Sequence, residues 1–288
     1  MAEIGSGQRL QGGLYFISTP IGAARDITLR ALDLLRDAEV IAAEDTRSLR
    51  HLMDIHGVAL GGRPLLSYHD HNGERMRPRL LDALKDGKSV VYASEAGTPL
   101  VADPGYQLGA AAIAAGHPVT AAPGPSAALA ALTVSGLPSD RFLFAGFAPT
   151  GAGPRRRWLE DLKATPATLI LYESPKRLKA LLTDMAEVMG QDRRAVVCRE
   201  LTKKFEEVLR GTVAELAAAL ADREVRGEIV VLIDRPGATT ATPADIEAAL
   251  REALTCQSVK DAAATVAAAT GAPRREVYQM ALKLAAKD

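Results

Sequence analysis

The strongest constraint on this chain is a repeated alternation. Short apolar runs rich in β-branched residues are each followed by a segment of helical period. That pattern predicts α/β layering around mostly parallel sheets. Strands are predicted at Leu14–Ser18, Val40–Ala43, Leu65–Tyr68, Val90–Ala93 and Val119–Ala122, with helices in the intervals. Each strand ends in a polar or Gly/Pro-rich turn: Thr19-Pro20-Ile21-Gly22, Glu44-Asp45-Thr46-Arg47, His69-Asp70-His71-Asn72, Ser94-Glu95-Ala96-Gly97-Thr98-Pro99 and Pro123-Gly124-Pro125-Ser126. Ligands in open α/β sheets bind beyond the carboxyl ends of the strands, so these turns are the expected site.

A chain of 288 residues is about twice the usual domain length, which predicts more than one domain. Phe142–Phe147 reads as a strand leading into the linker Ala148–Pro154, so a first unit is expected over residues 1–149. A second α/β unit over residues 150–235 would carry strands Leu169–Tyr172, Ala195–Arg199, Glu206–Leu209 and Glu228–Ile233 and helices Lys176–Met189 and Val213–Ala221. Arg235–Thr242 lacks periodicity and reads as a second linker. Beyond it Pro243–Leu254, Val259–Thr270 and Arg274–Ala285 have helical spacing, broken at Gly271-Ala272-Pro273, so residues 243–288 look like a small helix-turn-helix extension.

Composition removes several classes. Lys+Arg 35 balances Asp+Glu 35, which argues against binding nucleic acid by bulk charge. Residues 150–235 carry 16 Lys and Arg against 14 Asp and Glu, making the second unit the slightly more basic one. Cys198 and Cys256 are the two cysteines, with no CxxC, which suits a reducing cytoplasm and leaves no disulfide framework or structural zinc site. Met1–Gln11 is polar, without the apolar stretch of a secretory signal, and no run of 18 apolar residues predicts a membrane span.

The turns carry the chemistry. No G-x-G-x-x-G or Walker-type P-loop occurs. Ser94–Pro99 followed by Asp103-Pro104-Gly105 forces an irregular loop whose amides and carbonyls can grip a small ligand, and Pro123–Ala127 repeats that logic one strand later. Glu44-Asp45 at the end of an apolar strand suits a ligand or cation, or else Asp45 caps the next helix. His69 and His71 invite a metal reading, but no Cys or H-E-x-x-H accompanies them, so no metal is expected. Arg155-Arg156-Arg157 opens a helix, where cations are disfavoured unless an anionic partner meets them. Aromatic residues make up 4%, too few for an extended base-stacking platform.

Taken in order and spacing, the first-unit turns, Gly136–Phe142, Tyr172-Glu173-Ser174-Pro175, Arg199-Glu200-Leu201-Thr202-Lys203, Gly211-Thr212 and Gly227-Glu228 resemble the tetrapyrrole methylase superfamily, and within it the branch that methylates small-subunit ribosomal RNA. The resemblance covers nearly the whole chain. It implies two α/β domains of the class III methyltransferase type with a cofactor cleft between them, plus the helical extension, and a homodimer. It also implies S-adenosylmethionine-dependent 2′-O-methylation of a cytidine in the decoding region of 16S rRNA. The chain departs from the usual pattern at Ala23, where the family has Asn, and at Glu95, where it has Asp.

Carried onto this sequence, the cofactor-binding positions implied are Pro20, Ser94, Gly97, Thr98, Val101, Ser126, Ala127, Tyr172 and Leu201. Asp45, His69 and Glu200 are the candidate proton acceptors, and Arg47, Lys176 and Lys203 the candidates for RNA phosphate. Two other readings remain open on these residues: a methylase of the same superfamily acting on a small tetrapyrrole, and a non-catalytic RNA-binding assembly factor.

Overall fold

In the computed structural model, residues 10–237 and 243–285 are described. The N-terminal residues 1–9, the middle of the expected linker at 238–242 and the last residues 286–288 lie outside that description.

The first five strands are β1 (Gly13–Ile17), β2 (Val40–Ala43), β3 (Leu65–Ser67), β4 (Ser89–Ala93) and β5 (Val119–Ala122). They form one all-parallel sheet in the order β3-β2-β4-β1-β5. Strands β2 and β4 are buried along their whole length, as both faces of a parallel sheet are covered. One face packs under α1 (Leu29–Asp37) and α2 (Thr46–Ile55), through Leu35, Ile41, Met53 and Val91. The other packs under α3 (Gly73–Lys85) and α4 (Tyr106–Ala114), through Leu14, Leu80, Tyr92 and Leu108.

The second sheet joins β6 (Phe142–Phe147), β7 (Thr168–Glu173), β8 (Arg194–Arg199), β9 (Glu207–Thr212) and β10 (Ile229–Ile233) in the order β6-β7-β10-β8-β9. Here the expectation of mostly parallel strands is corrected. β6 and β7 run parallel, but β10 is antiparallel to both of its neighbours and β8 to β9. Only residues 200–206 separate β8 from β9, too few for a parallel crossover, which needs a dozen or more. The first unit was also expected to run through residue 149. Instead Phe142 pairs with Thr168 and Phe144 with Ile170, so β6 is an edge strand of the second sheet.

Helix α5 (Ala127–Ser135) belongs to both units. It follows β5 directly, and its Ala128, Ala131 and Leu132 bury against Ile170, Val196, Cys198 and Val230 of the second sheet. The opposite face of that sheet is covered by α6 (Ala152–Lys163), α7 (Pro175–Met189) and α8 (Val213–Leu220). In α6 two of the three arginines meet their anion inside the protein. Buried Asp184 of α7 accepts from Arg155 at 2.6 Å and from Arg156 at 2.7 Å, so no external anion is needed there.

The extension is α9 (Pro243–Leu254), α10 (Val259–Thr270) and α11 (Arg274–Ala285). Ser258 caps α10 at its start, and Gly271 ends it in the left-handed conformation at φ 67°. Its apolar core, including Leu250, Ala263, Val277 and Ala281, is made of its own three helices. Among the described residues no helix is long and apolar enough to cross a membrane.

Candidate functional site

The carboxyl ends of β1, β4 and β5 are knitted together by their turns. Thr19 and Gly97 exchange backbone hydrogen bonds at 2.9 Å in both directions. Ser94 Oγ donates to Gly97 O at 3.0 Å, and Thr98 Oγ1 donates to Pro125 O at 2.8 Å. Gly97 sits at φ 82°, a conformation in which a β-carbon is strained. Facing these turns is the second sheet, and between them lies a cavity of about 440 Å³. That volume is of the size that takes a cofactor-sized molecule.

The lining of this cleft has two chemical parts. Ile21, Val101, Phe147, Tyr172, Leu201 and Val230 supply an apolar surface able to hold a planar ring. Every charged residue that lines it is acidic: Glu44, Glu95, Asp103, Glu173 and Glu228. Such a field repels phosphate and favours a cationic ligand. Cys198 also lines the cleft, but burial pushes its thiol up to about 12, so it is a neutral wall rather than a nucleophile.

Two strained segments flank the cleft. Val101 lies between Leu100 at φ 72° and Ala102 at φ 61°, and Leu201 lies between Glu200 at φ 52° and Thr202 at φ 63°. Non-glycine residues in that region cost on the order of 1–3 kcal/mol each, and such outliers cluster at ligand sites. The two walls also touch. The amide of Ala23 donates to Thr202 Oγ1, and Gly22 lies so close to the facing loop that a β-carbon there would sit 2.5 Å from Lys203 Cγ.

Among the expected cofactor positions, Gly97, Thr98, Val101, Ala127, Tyr172 and Leu201 line the cleft together. Pro20, Ser94 and Ser126 do not. Ser94 is buried behind it and holds the Gly97 carbonyl, Ser126 is the N-cap residue of α5, and Pro20 precedes the lining Ile21. Tyr172 additionally accepts the amide proton of Ala128 at 3.2 Å, joining the second sheet to the start of α5.

The candidate proton acceptors are placed less favourably. Asp45 caps α2, accepting from Arg47 N at 2.7 Å and Ser48 N at 3.3 Å. Those bonds, with the Arg47 side chain foremost, hold its carboxyl below the usual range. Glu200 accepts from Lys203 Nζ at 2.9 Å and from the Glu228 amide at 3.0 Å, which likewise lowers its carboxyl. Neither lines the cleft. His69 lines a second cavity, on the far side of Asp103. Among the described residues no group of three or more His, Cys, Asp or Glu is placed to hold a metal ion.

Of the cations expected to meet RNA, Arg47 is exposed and leans on Asp45, while Lys176 is exposed at the start of α7. Lys203 instead pairs inside the protein, with Glu200 and with Glu228 at 3.1 Å. Sequence reasoning missed Asp103 and Glu228 as cleft residues. Their signals were the Asp103-Pro104-Gly105 turn and the Gly227-Glu228 strand start.

Comparison with known proteins agrees with this geometry. Residues 13–217 match the family of tetrapyrrole (corrin/porphyrin) methylases, and residues 240–285 match the C-terminal helix-turn-helix domain of the RsmI type. A ribosomal RNA small subunit methyltransferase I of Mesorhizobium japonicum is 48% identical, covering 96% of this chain and 93% of its own. One from Halalkalibacterium halodurans is 41% identical, covering 94% of each chain. Among solved structures, a cobalt precorrin-4 methyltransferase shares the fold at TM-score 0.58 and 23% identity, over 77% of this chain and 94% of that one. So does a uroporphyrin-III C-methyltransferase of Thermus thermophilus solved with S-adenosylhomocysteine, at TM-score 0.53 and 21% identity, over 77% and 97%.

Proposed function

This chain belongs to the tetrapyrrole methylase family, in its small-subunit rRNA methyltransferase branch, and from that premise we propose that it methylates the ribose 2′-oxygen of a cytidine in the decoding region of 16S rRNA. The methyl donor of this family of enzymes is S-adenosylmethionine, and the residues present fit it. The observation that carries the reading is the cleft between the sheets, apolar on one side and charged only by acids. S-adenosylmethionine has the matching chemistry: a flat adenine, and positive charge on both its sulfonium and its amino group.

Gly97, Thr98, Val101 and Ala127 would hold it from the first unit, and Tyr172, Leu201 and Val230 from the second. When bound, it supplies a methyl group already activated by a sulfonium. The chain's own work is to bind, to orient and to exclude water. Orientation alone can remove several kcal/mol of the barrier when reacting atoms are held about 3–3.5 Å apart. Glu44 and Glu95 hold a negative field around the cationic ligand, and their attraction weakens once the sulfonium charge is gone, which favours exchange of the product.

RNA phosphate needs another surface, since the cleft repels anions. Exposed Arg47, Lys176, Arg75 and Arg79 are among the cations open to it. A second copy of the chain is the other partner of this reading, and the edge strand β6 leaves Phe142 and Leu143 exposed for it. The test is incubation with labelled S-adenosylmethionine and either 30S subunits or a porphyrinoid. Label in a nuclease-resistant 2′-O-methylcytidine of 16S rRNA is expected. Label in the porphyrinoid, or binding without transfer to either, overturns the assignment.

A further inference from the structure

Behind the acidic cleft lies a second cavity, about 570 Å³, between the turn that follows β3, the first turns of α3, and the start of α4. His69, Asp70, Arg77 and Tyr106 line it, so unlike the cleft it offers cationic and hydrogen-bonding groups as well as acids. Three buried polar atoms at or behind its walls have no partner in the protein: His69 Nδ1, Arg77 Nε and Tyr92 Oη. Buried polar groups are nearly always paired, so the orphans of His69 and Arg77, two residues of the lining, mark this wall as one whose polar groups are not satisfied within the protein. Gly105 stands at φ 121° with Tyr92 Cε1 only 3.0 Å from where a β-carbon would be, and Tyr106 is two-thirds exposed at the rim.

Asp103 is the one described residue that lines both this cavity and the cleft. We propose that the second cavity seats the target nucleoside and that Asp103, at the junction, is the catalytic residue that takes the proton of its 2′-hydroxyl. The inference rests on the function proposed above. Tyr106 offers a face for the extruded base and Arg77 a donor fork, the two kinds of contact by which unpaired RNA bases are held. In the transfer, the 2′-oxygen forms a bond to the methyl carbon, and the carbon–sulfur bond breaks with its electron pair remaining on sulfur. The hydroxyl proton passes to the Asp103 carboxylate, leaving a methyl ether, a neutral thioether and a neutral carboxylic acid.

The electrostatics suit that task. Burial, reinforced by Glu44 and Glu95, raises the Asp103 carboxyl to about 7, against a lowering hydrogen bond from Ser94. His69, Asp70, Glu74 and Arg77 line the same cavity from the β3–α3 side, and the hydroxyl of Tyr92 is held neutral by burial together with Glu44 and Asp103. A general base is most effective with its affinity for protons near the working pH.

The experiment compares wild type with Asp103→Asn, a nearly isosteric change, on 30S subunits. Expected are a fall in kcat of about 100-fold or more and, at pH 6, where the Asp103 carboxyl is mostly protonated and Asn matches its charge, a Kd for S-adenosylmethionine by calorimetry within about threefold of wild type. The wild-type kcat/KM should rise with pH and level off above about 7, and the variant should lose that inflection. Arg77→Gln should raise the KM for 30S several-fold with cofactor affinity unchanged. Retention of more than a tenth of kcat in Asp103→Asn, or a flat wild-type profile between pH 6 and 8, overturns the proposal while leaving the methyltransferase reading in place. Wild-type protein that binds S-adenosylmethionine but labels no 30S overturns both.

Discussion

The amide of Ala23 donates to Thr202 Oγ1 at 3.1 Å, a bond between residues 179 positions apart that closes one end of the cleft. The donor is the backbone, so this hydrogen bond does not depend on which side chain stands at position 23. Next to it, Gly22 has no room for a side chain, with Thr202 Oγ1 at 2.6 Å and the Leu201 carbonyl at 3.1 Å from a β-carbon placed there.

Gly22→Ala should therefore push the two walls apart at this point. Overpacking of this kind costs about 1–3 kcal/mol, and part of it will appear as weaker S-adenosylmethionine binding, by about tenfold in calorimetry. The variant should still fold, because Gly22 lies outside both sheets. Unchanged affinity would mean that the walls close on the cofactor without Gly22.

The first sheet was legible in the sequence because its information is local. Each buried strand is a short apolar run with a turn at its end, and Val40–Ala43 and Val119–Ala122 stand where the alternation put them. What decided the rest is non-local. Phe142–Phe147 is equally a strand in either sheet, and only its pairing with Thr168–Tyr172 assigns it to the second. Glu200 was expected to accept a proton and Lys203 to meet RNA phosphate, yet they meet each other and Glu228, brought from a distant strand start. Asp103 read as loop punctuation because its perturbation comes from its burial and from Glu44 and Glu95, two acids on two other turns.

Those ion pairs change the expected RNA footprint. Arg155 and Arg156 are held by Asp184, Arg177 by Glu173 and Lys203 by two glutamates, so most grouped cations of the second unit are already neutralised within the protein. Replacing exposed Arg75 and Arg79 by Ala should lower the slope of log affinity against log salt by about one for each phosphate no longer neutralised. Cofactor affinity should not move. Lys203→Ala should leave the slope unchanged and instead loosen the cleft. If Lys203→Ala flattens the slope and the arginine variant does not, the footprint lies on the second unit.

The helical extension should be separable from the cofactor site. Its core is made of residues from its own three helices, and the cleft is lined by none of them. A chain ending at Arg235 should remain folded and bind S-adenosylmethionine with wild-type affinity while methylating 30S subunits less efficiently. A truncated chain that is insoluble, or that has lost the cofactor, would show the extension to be part of the main fold.

Asp103 also makes a prediction about stability that needs neither RNA nor cofactor. Its carboxyl is raised in the folded protein from 3.8 to about 7, so between those values the folded state holds a proton that the unfolded chain has released. Stability must then fall as pH rises from about 4 through about 7, and stay lowered above it. Asp103→Asn removes the buried charge, so the variant should be more stable than wild type at pH 8, by an amount on the order of a few kcal/mol at most. The gain should shrink steadily toward pH 5 and vanish near pH 4. Glu200 and Glu207 are shifted the other way by their cationic partners, and their stabilisation is lost as pH falls through the ordinary carboxylate value of 4.5 and below, equally in both proteins, so it cancels in the comparison. Thermal melts of both proteins from pH 4 to 8 decide the matter. A difference independent of pH would mean that Asp103 ionises normally in the folded state, and that the acids around it do not act on it.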